Sequence, residues 1–221
     1  MSTAKVCSSV ANLVCPLCSS LEHTPWCADK RREYFRCQTC LLIFVPAAFH
    51  LSRDREHAEY DLHQNSPESL AYRGFLSRLF VPVQARLPPS RRGLDFGSGP
   101  GPTLSVMFQE AGHRMAIYDP YFAPDASVLT TQYDFVTASE VVEHLRDPKT
   151  DLARVWSCVQ PGGLLGIMTK LALDQAAFAS WHYKNDLTHV SFFSRETFSW
   201  LAAKWKAKLT IVGQDVLLFR R

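Results

Sequence analysis

The stretch Leu94-Asp95-Phe96-Gly97-Ser98-Gly99-Pro100-Gly101 constrains the fold more than any other part of the chain. Leu94 to Phe96 have the character of a buried strand end, entered from the basic, turn-forming Pro88-Pro89-Ser90-Arg91-Arg92 segment. Glycines follow at alternate positions, Gly97, Gly99 and Gly101, and then an amphipathic run from Leu104 to Ala111 with helical spacing. A strand, a glycine turn and a helix make the nucleotide-binding corner of an open α/β sheet. Glycine serves there because a side chain would hold a ligand off the backbone, and because such turns use positive φ. The helix start adds N–H donors without partners and a partial positive charge facing the ligand. Pro102 stands where the dinucleotide pattern G-x-G-x-x-G has its last glycine, which weakens a nicotinamide-cofactor reading.

The flanking pattern agrees with a doubly wound, mostly parallel α/β sheet. Ser66-Pro67-Glu68 has the composition of a helix start, with Ser66 as cap. Tyr72, Phe75, Leu76, Leu79, Phe80 and Val83 then share one helical face, and Pro82 is expected to bend or end that helix. Arg114 to Tyr118 read as a strand ending at Asp119-Pro120, 22 residues after Gly97. That is close to the interval of roughly 20 residues at which a carboxylate meets ribose hydroxyls. Phe135 to Ala138 form a further core strand, with Ser139-Glu140 at the carboxyl end that faces the crevice in such sheets. Glu143-His144 follow within one turn. A helix from about Lys149 to Val159 leads through Pro161-Gly162-Gly163 to a strand at Leu164 to Met168. The segment 174–193 interleaves Trp181, His182, Tyr183, Asp186, Thr188 and His189, the composition of a crevice wall. Ser194 caps a helix carrying Phe198, Leu201 and Trp205, and Leu209–Val212 with Val216–Phe219 form a closing antiparallel hairpin.

At the other end, Cys15-x-x-Cys18 and Cys37-x-x-Cys40 are separated by 18 residues, the spacing of a closed, structural four-cysteine zinc site. His23 and Cys27, inside the loop, are spare ligands at best. Seven cysteines, an odd count with paired spacing, argue for reduced thiols and metal rather than disulfides. The expected division is a zinc-ribbon-like segment over 1–48, a polar connector over 49–66 and the α/β domain over 67–221. With 221 residues and 47% hydrophobic composition the chain can bury a substantial core. A formal charge of +3 does not by itself indicate a nucleic-acid partner. No apolar run reaches the length of a membrane helix and no secretory leader is evident, so a cytoplasmic protein is expected.

Taken as a set, Asp95 to Gly101, Tyr118-Asp119, Tyr133-Asp134-Phe135, Glu140 with Glu143-His144-Leu145, and Pro161-Gly162-Gly163 resemble class I S-adenosylmethionine-dependent methyltransferases, type 11/23-like. The resemblance covers roughly 67–221. It implies that the glycine loop (Asp95, Gly97, Ser98, Gly99) holds the methionine end of S-adenosylmethionine. Asp119 would then hold the ribose, with Tyr118 and Pro120 also among the cofactor-binding residues and Ser139 and Glu140 near the sulfonium. The 13 residues between Asp119 and Tyr133 are too few for the family's next helix and strand, so its adenine-binding acid has no clear counterpart; Asp125 and Thr130 are the nearest substitutes. Cysteine pairs before such a domain also occur in a ribosomal RNA guanine methyltransferase and in sugar C-methyltransferases, so they do not choose the acceptor.

Methyl transfer from a sulfonium needs placement, exclusion of water and, for a proton-bearing acceptor, a base. His189 and His144 are the candidates, since histidine titrates near neutrality. Tyr183 and Trp181 could stack on a flat acceptor, and Tyr60 with His63 could form a lid. A small-molecule acceptor is expected first. An RNA acceptor, bound through the ribbon and the Lys30-Arg31-Arg32 and Arg91-Arg92 clusters, is the alternative. A non-catalytic cofactor-binding module is the third.

Overall fold

The computed structural model describes residues 13–62 and 65–221. A six-stranded sheet forms the body. β4 (Arg92–Phe96), β5 (Arg114–Tyr118), β6 (Tyr133–Ser139) and β7 (Val159–Met168) are parallel, and β9 (Lys208–Val212) and β10 (Val216–Arg220) close it as an antiparallel hairpin, in the order β5-β4-β6-β7-β10-β9. Strand side chains alternate between faces, and both faces are covered. Phe135, Leu164 and Leu218 pack under α2 (Leu70–Gln84) and α3 (Thr103–Glu110). Val136, Leu165 and Phe219 pack under α4 (Pro148–Ser157) and α6 (Arg195–Trp205). Two buried faces explain why these strands read as nearly continuous apolar runs.

Between β5 and β6 there is only a 3₁₀ turn, Ala126–Thr130, so β5 is the sheet edge and the short spacing after Asp119 has its expected consequence. Asp125 caps that exposed turn, and neither it nor Thr130 lines the central cleft. α2 begins later than the sequence suggested. Ser66 is engaged with Glu68, and Ser69 takes over as cap, accepting from the Tyr72 N–H. Pro82 does not end α2, which runs on to Gln84: in the last turn only one backbone bond is lost. β6 and β7 are longer than predicted, because their pairing continues past an irregularity in register between Tyr133 and Phe135.

A second sheet carries the cysteine pairs. It comprises, in order, β1 (His23–Ala28), β2 (Glu33–Cys37), β3 (Ile43–Phe44) and β8 (Ser191–Phe192), with α5 (Gln175–Ser180) against β1. Ile43 pairs with Phe192 and Phe44 with Ser191, so the segment before α6 completes the N-terminal sheet. The stretch 49–66 is more than a connector. It holds α1 (Arg53–Tyr60), capped by Ser52, whose Glu56 is buried. Among the described residues no helix is long and apolar enough to cross a membrane.

Candidate active site

The carboxyl ends of β4, β5 and β6 open into one cleft of about 750 Å³, within the range of small-molecule and cofactor pockets. Gly97, Ser98, Gly99, Tyr118, Asp119, Pro120, Ser139, Glu140, His144 and His189 all line it. Asp95 does not. It lies beneath the loop, its Oδ1 accepting from the Thr137 hydroxyl at 2.7 Å, and burial pushes its carboxyl up to about 7.

The glycine loop is built by backbone geometry. Gly97 has φ +76°, and a Cβ there would stand 2.3 Å from Val141 Cγ2. Gly99 has φ +63°, a Cβ there would meet nothing nearer than Asn65 Nδ2 at 3.9 Å, and its N–H donates to Asp119 Oδ2 at 2.9 Å. Asp119 Oδ1 accepts from the N–H groups of Tyr121 (2.9 Å) and Phe122 (3.1 Å). Three of a carboxylate's roughly four acceptor positions are thus used in fixing the turn, and one is left for a ligand hydroxyl.

S-adenosylmethionine, the group implied by the sequence, fits these residues. Ser98 Oγ, Ser139 Oγ and Glu140 Oε1 are buried atoms without a hydrogen-bond partner among the described residues. Buried polar atoms are normally satisfied, so three together around one cleft match a polar ligand. Glu140 also has φ +53°, a left-handed conformation that a non-glycine residue holds only where its surroundings impose it. α1 covers the cleft, lining it with Arg53, Glu56 and Tyr60. Glu56 accepts from Tyr121 Oη (3.1 Å), Arg146 Nη2 (2.8 Å) and Tyr60 Oη (3.4 Å), which ties the helix to both rims. Polar composition hid this helix in the sequence; the Ser52 cap followed by acids in the first turn was its signal. His63 lies outside the described residues.

The two candidate bases meet at the far wall, with ring centroids 4.6 Å apart. His189 Nδ1 donates to the Tyr183 carbonyl at 2.8 Å. A carbonyl only accepts, so the Nδ1–H tautomer is set and Nε2 keeps its lone pair. Burial lowers the His189 pKa from its ordinary value, so the neutral, proton-accepting form prevails at neutral pH. Asp186 Oδ2, 3.6 Å from Nε2, faces the charge that appears on protonation. Beside them Glu143 is fully enclosed. Burial, with the neighbouring Glu140 charge, pushes its carboxyl up to about 8. The Tyr183 hydroxyl bonds to Glu143 and lies 3.3 Å from Glu140 Oε2, and the Thr169 hydroxyl donates to Glu143 at 2.9 Å. Glu143, His144 and His189 bring ligand-type atoms within 4.8 Å of one another. Both Glu143 oxygens are already engaged by the Tyr183 and Thr169 hydroxyls. Trp181 packs on Tyr183 and Phe192 and does not line the cleft.

The four cysteines gather as predicted. Cys15 and Cys40 sulfurs stand 3.5 Å apart and those of Cys18 and Cys37 3.4 Å apart, with all four within 4.8 Å. Sulfurs 2.3 Å from a tetrahedral zinc would stand about 3.8 Å apart, so the set fits that ion. Each pair ends on a left-handed residue, Ser19 (φ 64°) and Leu41 (φ 62°), and the Thr39 and Cys40 N–H groups point at Cys37 Sγ. His23 and Cys27 stand outside the cluster.

A family model described as a methyltransferase domain matches residues 62–212, about two thirds of the chain. The chain belongs to that family. It has the fold of the S-adenosylmethionine-dependent methyltransferases, with their Rossmann-like sheet and C-terminal hairpin. A Burkholderia thailandensis O-methyltransferase family protein is 12% identical, with a TM-score of 0.53, over 75% of this chain and 62% of its own. The 1,6-didemethyltoxoflavin-N1-methyltransferase of the same species, solved with 1,6-didemethyltoxoflavin and S-adenosylhomocysteine, is 17% identical, with a TM-score of 0.50, over 88% of this chain and 96% of its own. No curated relative matches the sequence.

Proposed function

We propose that this methyltransferase acts on a small-molecule acceptor whose methylated atom carries a proton, with His189 as the base. The observation that carries this is the convergence of the glycine loop and the His144–His189–Glu143 cluster on one cleft. S-adenosylmethionine supplies the electrophilic methyl group. Gly97 to Gly99 present backbone at the cofactor's methionine end, Asp119 offers its remaining lone pair to the ribose, and Ser139 and Glu140 border the reacting centre. α1 excludes water from above. His189 Nε2 takes the acceptor proton, Asp186 compensates the resulting charge, and His144 packs edge-on to keep the ring in place. Of the described residues, 13–48, steadied by zinc in the four-thiol site, brace this centre; 49–62 cover it, and 67–221 bind and react.

The fate of the basic residues favours a small acceptor over RNA. Arg32 is buried and the exposed Arg31 bonds to Asn185, so two of the three Lys30-Arg31-Arg32 cations are already engaged within the fold. Arg91 pairs with Asp134. The solved fold neighbour with a bound small molecule is in keeping with this.

Calorimetric titration with S-adenosylmethionine and, separately, NADH is the first test. Micromolar binding of the first alone is expected, followed by a screen of hydroxyl, amine and carbon acceptors. NADH binding alone would overturn the cofactor assignment, cofactor binding with no turnover across the screen would favour a non-catalytic module, and salt-dependent RNA binding would favour an RNA acceptor. Metal analysis of protein purified without chelator is expected to find one zinc per chain.

A further inference from the structure

The loop that carries His189 has little regular structure, a single 3₁₀ turn at His182–Asn185, yet Tyr183, Lys184, Thr188 and His189 are all buried. Backbone in that situation needs partners, and here they come from the N-terminal module. Arg32, 2% exposed, spends its guanidinium on three carbonyls of this one loop. Nη2 donates to Lys184 O at 2.6 Å and Asp186 O at 2.8 Å, and Nη1 donates to Leu187 O at 3.2 Å. Nε is braced by the Tyr34 hydroxyl at 2.9 Å. Two further ties run alongside: Arg31 to Asn185, and Lys184 Nζ to Asp29 Oδ2 at 2.9 Å.

A charged side chain kept out of water is costly unless every donor is matched, and an apolar residue of similar size would often stabilise the fold as well or better. What an apolar residue could not do is hold the Lys184, Asp186 and Leu187 carbonyls together in a fixed arc. The arc begins immediately after Tyr183, whose own carbonyl sets the His189 tautomer, and it ends two residues before His189. Beyond His189, Val190 donates to Glu143 O at 2.8 Å and accepts from Val45 N–H at 2.9 Å. His189 is therefore suspended between an arginine clasp on one side and a strand pairing on the other. On neither side does the support come from the glycine-loop half of the cleft.

We infer that Arg32 is a positioning residue: through the 184–187 backbone it keeps the His189 ring bonded to the Tyr183 carbonyl, with Nε2 free for the acceptor. The inference rests on the proposed role of His189 as base, and it assigns the ribbon segment to the acceptor half-site from behind, where no acceptor touches it.

The test uses the full chain with its metal retained and ¹⁵N-labelled histidine, reading the imidazole tautomer by two-bond ¹H–¹⁵N correlation and S-adenosylmethionine affinity by calorimetry. In the wild type His189 is expected as the Nδ1–H tautomer. Arg32→Met is expected to give a mixture of tautomers and at least about tenfold faster amide exchange over 184–190, with cofactor affinity within about twofold of wild type. Arg32→Lys is expected to share the tautomer mixing, since one ammonium cannot span three carbonyls. Should both fail to fold, Tyr34→Phe, which removes the hydroxyl that accepts from Arg32 Nε and itself reaches Asp29 Oδ2 and Lys184 O, is expected to show the same shift at smaller amplitude. An unchanged His189 tautomer in the folded variants would overturn the inference. So would joint loss of tautomer and cofactor binding, which marks a general defect of the fold. Failure of the wild type to bind S-adenosylmethionine would remove the functional reading instead, and is seen separately.

Discussion

The two halves of the cleft are made by different means. On the proposed cofactor side, Gly97 to Gly99 and Asp119 are fixed by backbone conformation and by bonds between residues at most 21 apart in sequence. On the proposed acceptor side, the loop that carries His189 is held by side chains arriving from the N-terminal module, with Arg32 and Lys184 separated by 152 residues. A site built locally fails at a single position. A site built at long range can lose its geometry while the neighbouring half still works.

That contrast gives a ranked set of expectations. Gly99→Arg drives a long side chain from the loop past Asn65 and strains a φ of +63°, and should abolish S-adenosylmethionine binding by calorimetry while leaving the His189 tautomer as in wild type. Measurable affinity in this variant would break the assignment of the cofactor half. His189→Asn should lower turnover of a proton-bearing acceptor by about 10²–10⁴-fold, at unchanged cofactor affinity; a fall in affinity instead would mean the two halves are not separable. Asp119→Ala should weaken the cofactor by about 10–100-fold, the worth of one charged hydrogen bond plus a loosened turn. The smallest effect is in stability against pH. Because the folded carboxyl of Glu143 sits at about 8 and an unfolded glutamate near 4.3, the folded state holds its proton more tightly. The stability this provides is complete below about pH 4.3 and is lost as pH rises through about 8. Tm should therefore fall between pH 6 and 9 more steeply in wild type than in Glu143→Gln. Parallel curves would show that Glu143 does not keep its proton.

The same contrast explains what the sequence disclosed. Gly97, Gly99 and Asp119 announce themselves because local geometry demands those residue types at that spacing, and the four cysteines do so because their paired spacing is that of a tetrahedral metal site. The α/β order follows from apolar runs whose two faces are both buried. Asp95, by contrast, sits in the motif but turns away from the cleft onto Thr137, a difference of orientation that spacing cannot carry. Glu56 and Arg32 were illegible for a related reason. Each is a charged residue in a polar stretch, indistinguishable from solvated surface until the tertiary structure supplies Tyr121 and Arg146 for one and three loop carbonyls for the other. His189 was visible as a candidate, but the clasp behind it was not.

The pairing of β3 with β8 bears on how the chain comes to be folded. Tyr34, Ile43 and Val45 share one apolar cluster with Phe178, Val190 and Phe192, so neither partner can bury its face until the other has been made. Closing so long a loop adds only a logarithmic entropy term and costs little at equilibrium, but contacts this remote in sequence slow the search for the native state. During synthesis the first sheet would wait, its apolar edge exposed, for almost the whole of the central sheet to emerge. Co-expression with a chaperone and slow growth at low temperature should thus raise the soluble yield of the whole chain, whereas a fragment starting at residue 67 would carry Phe178, Val190 and Phe192 uncovered and be prone to aggregate.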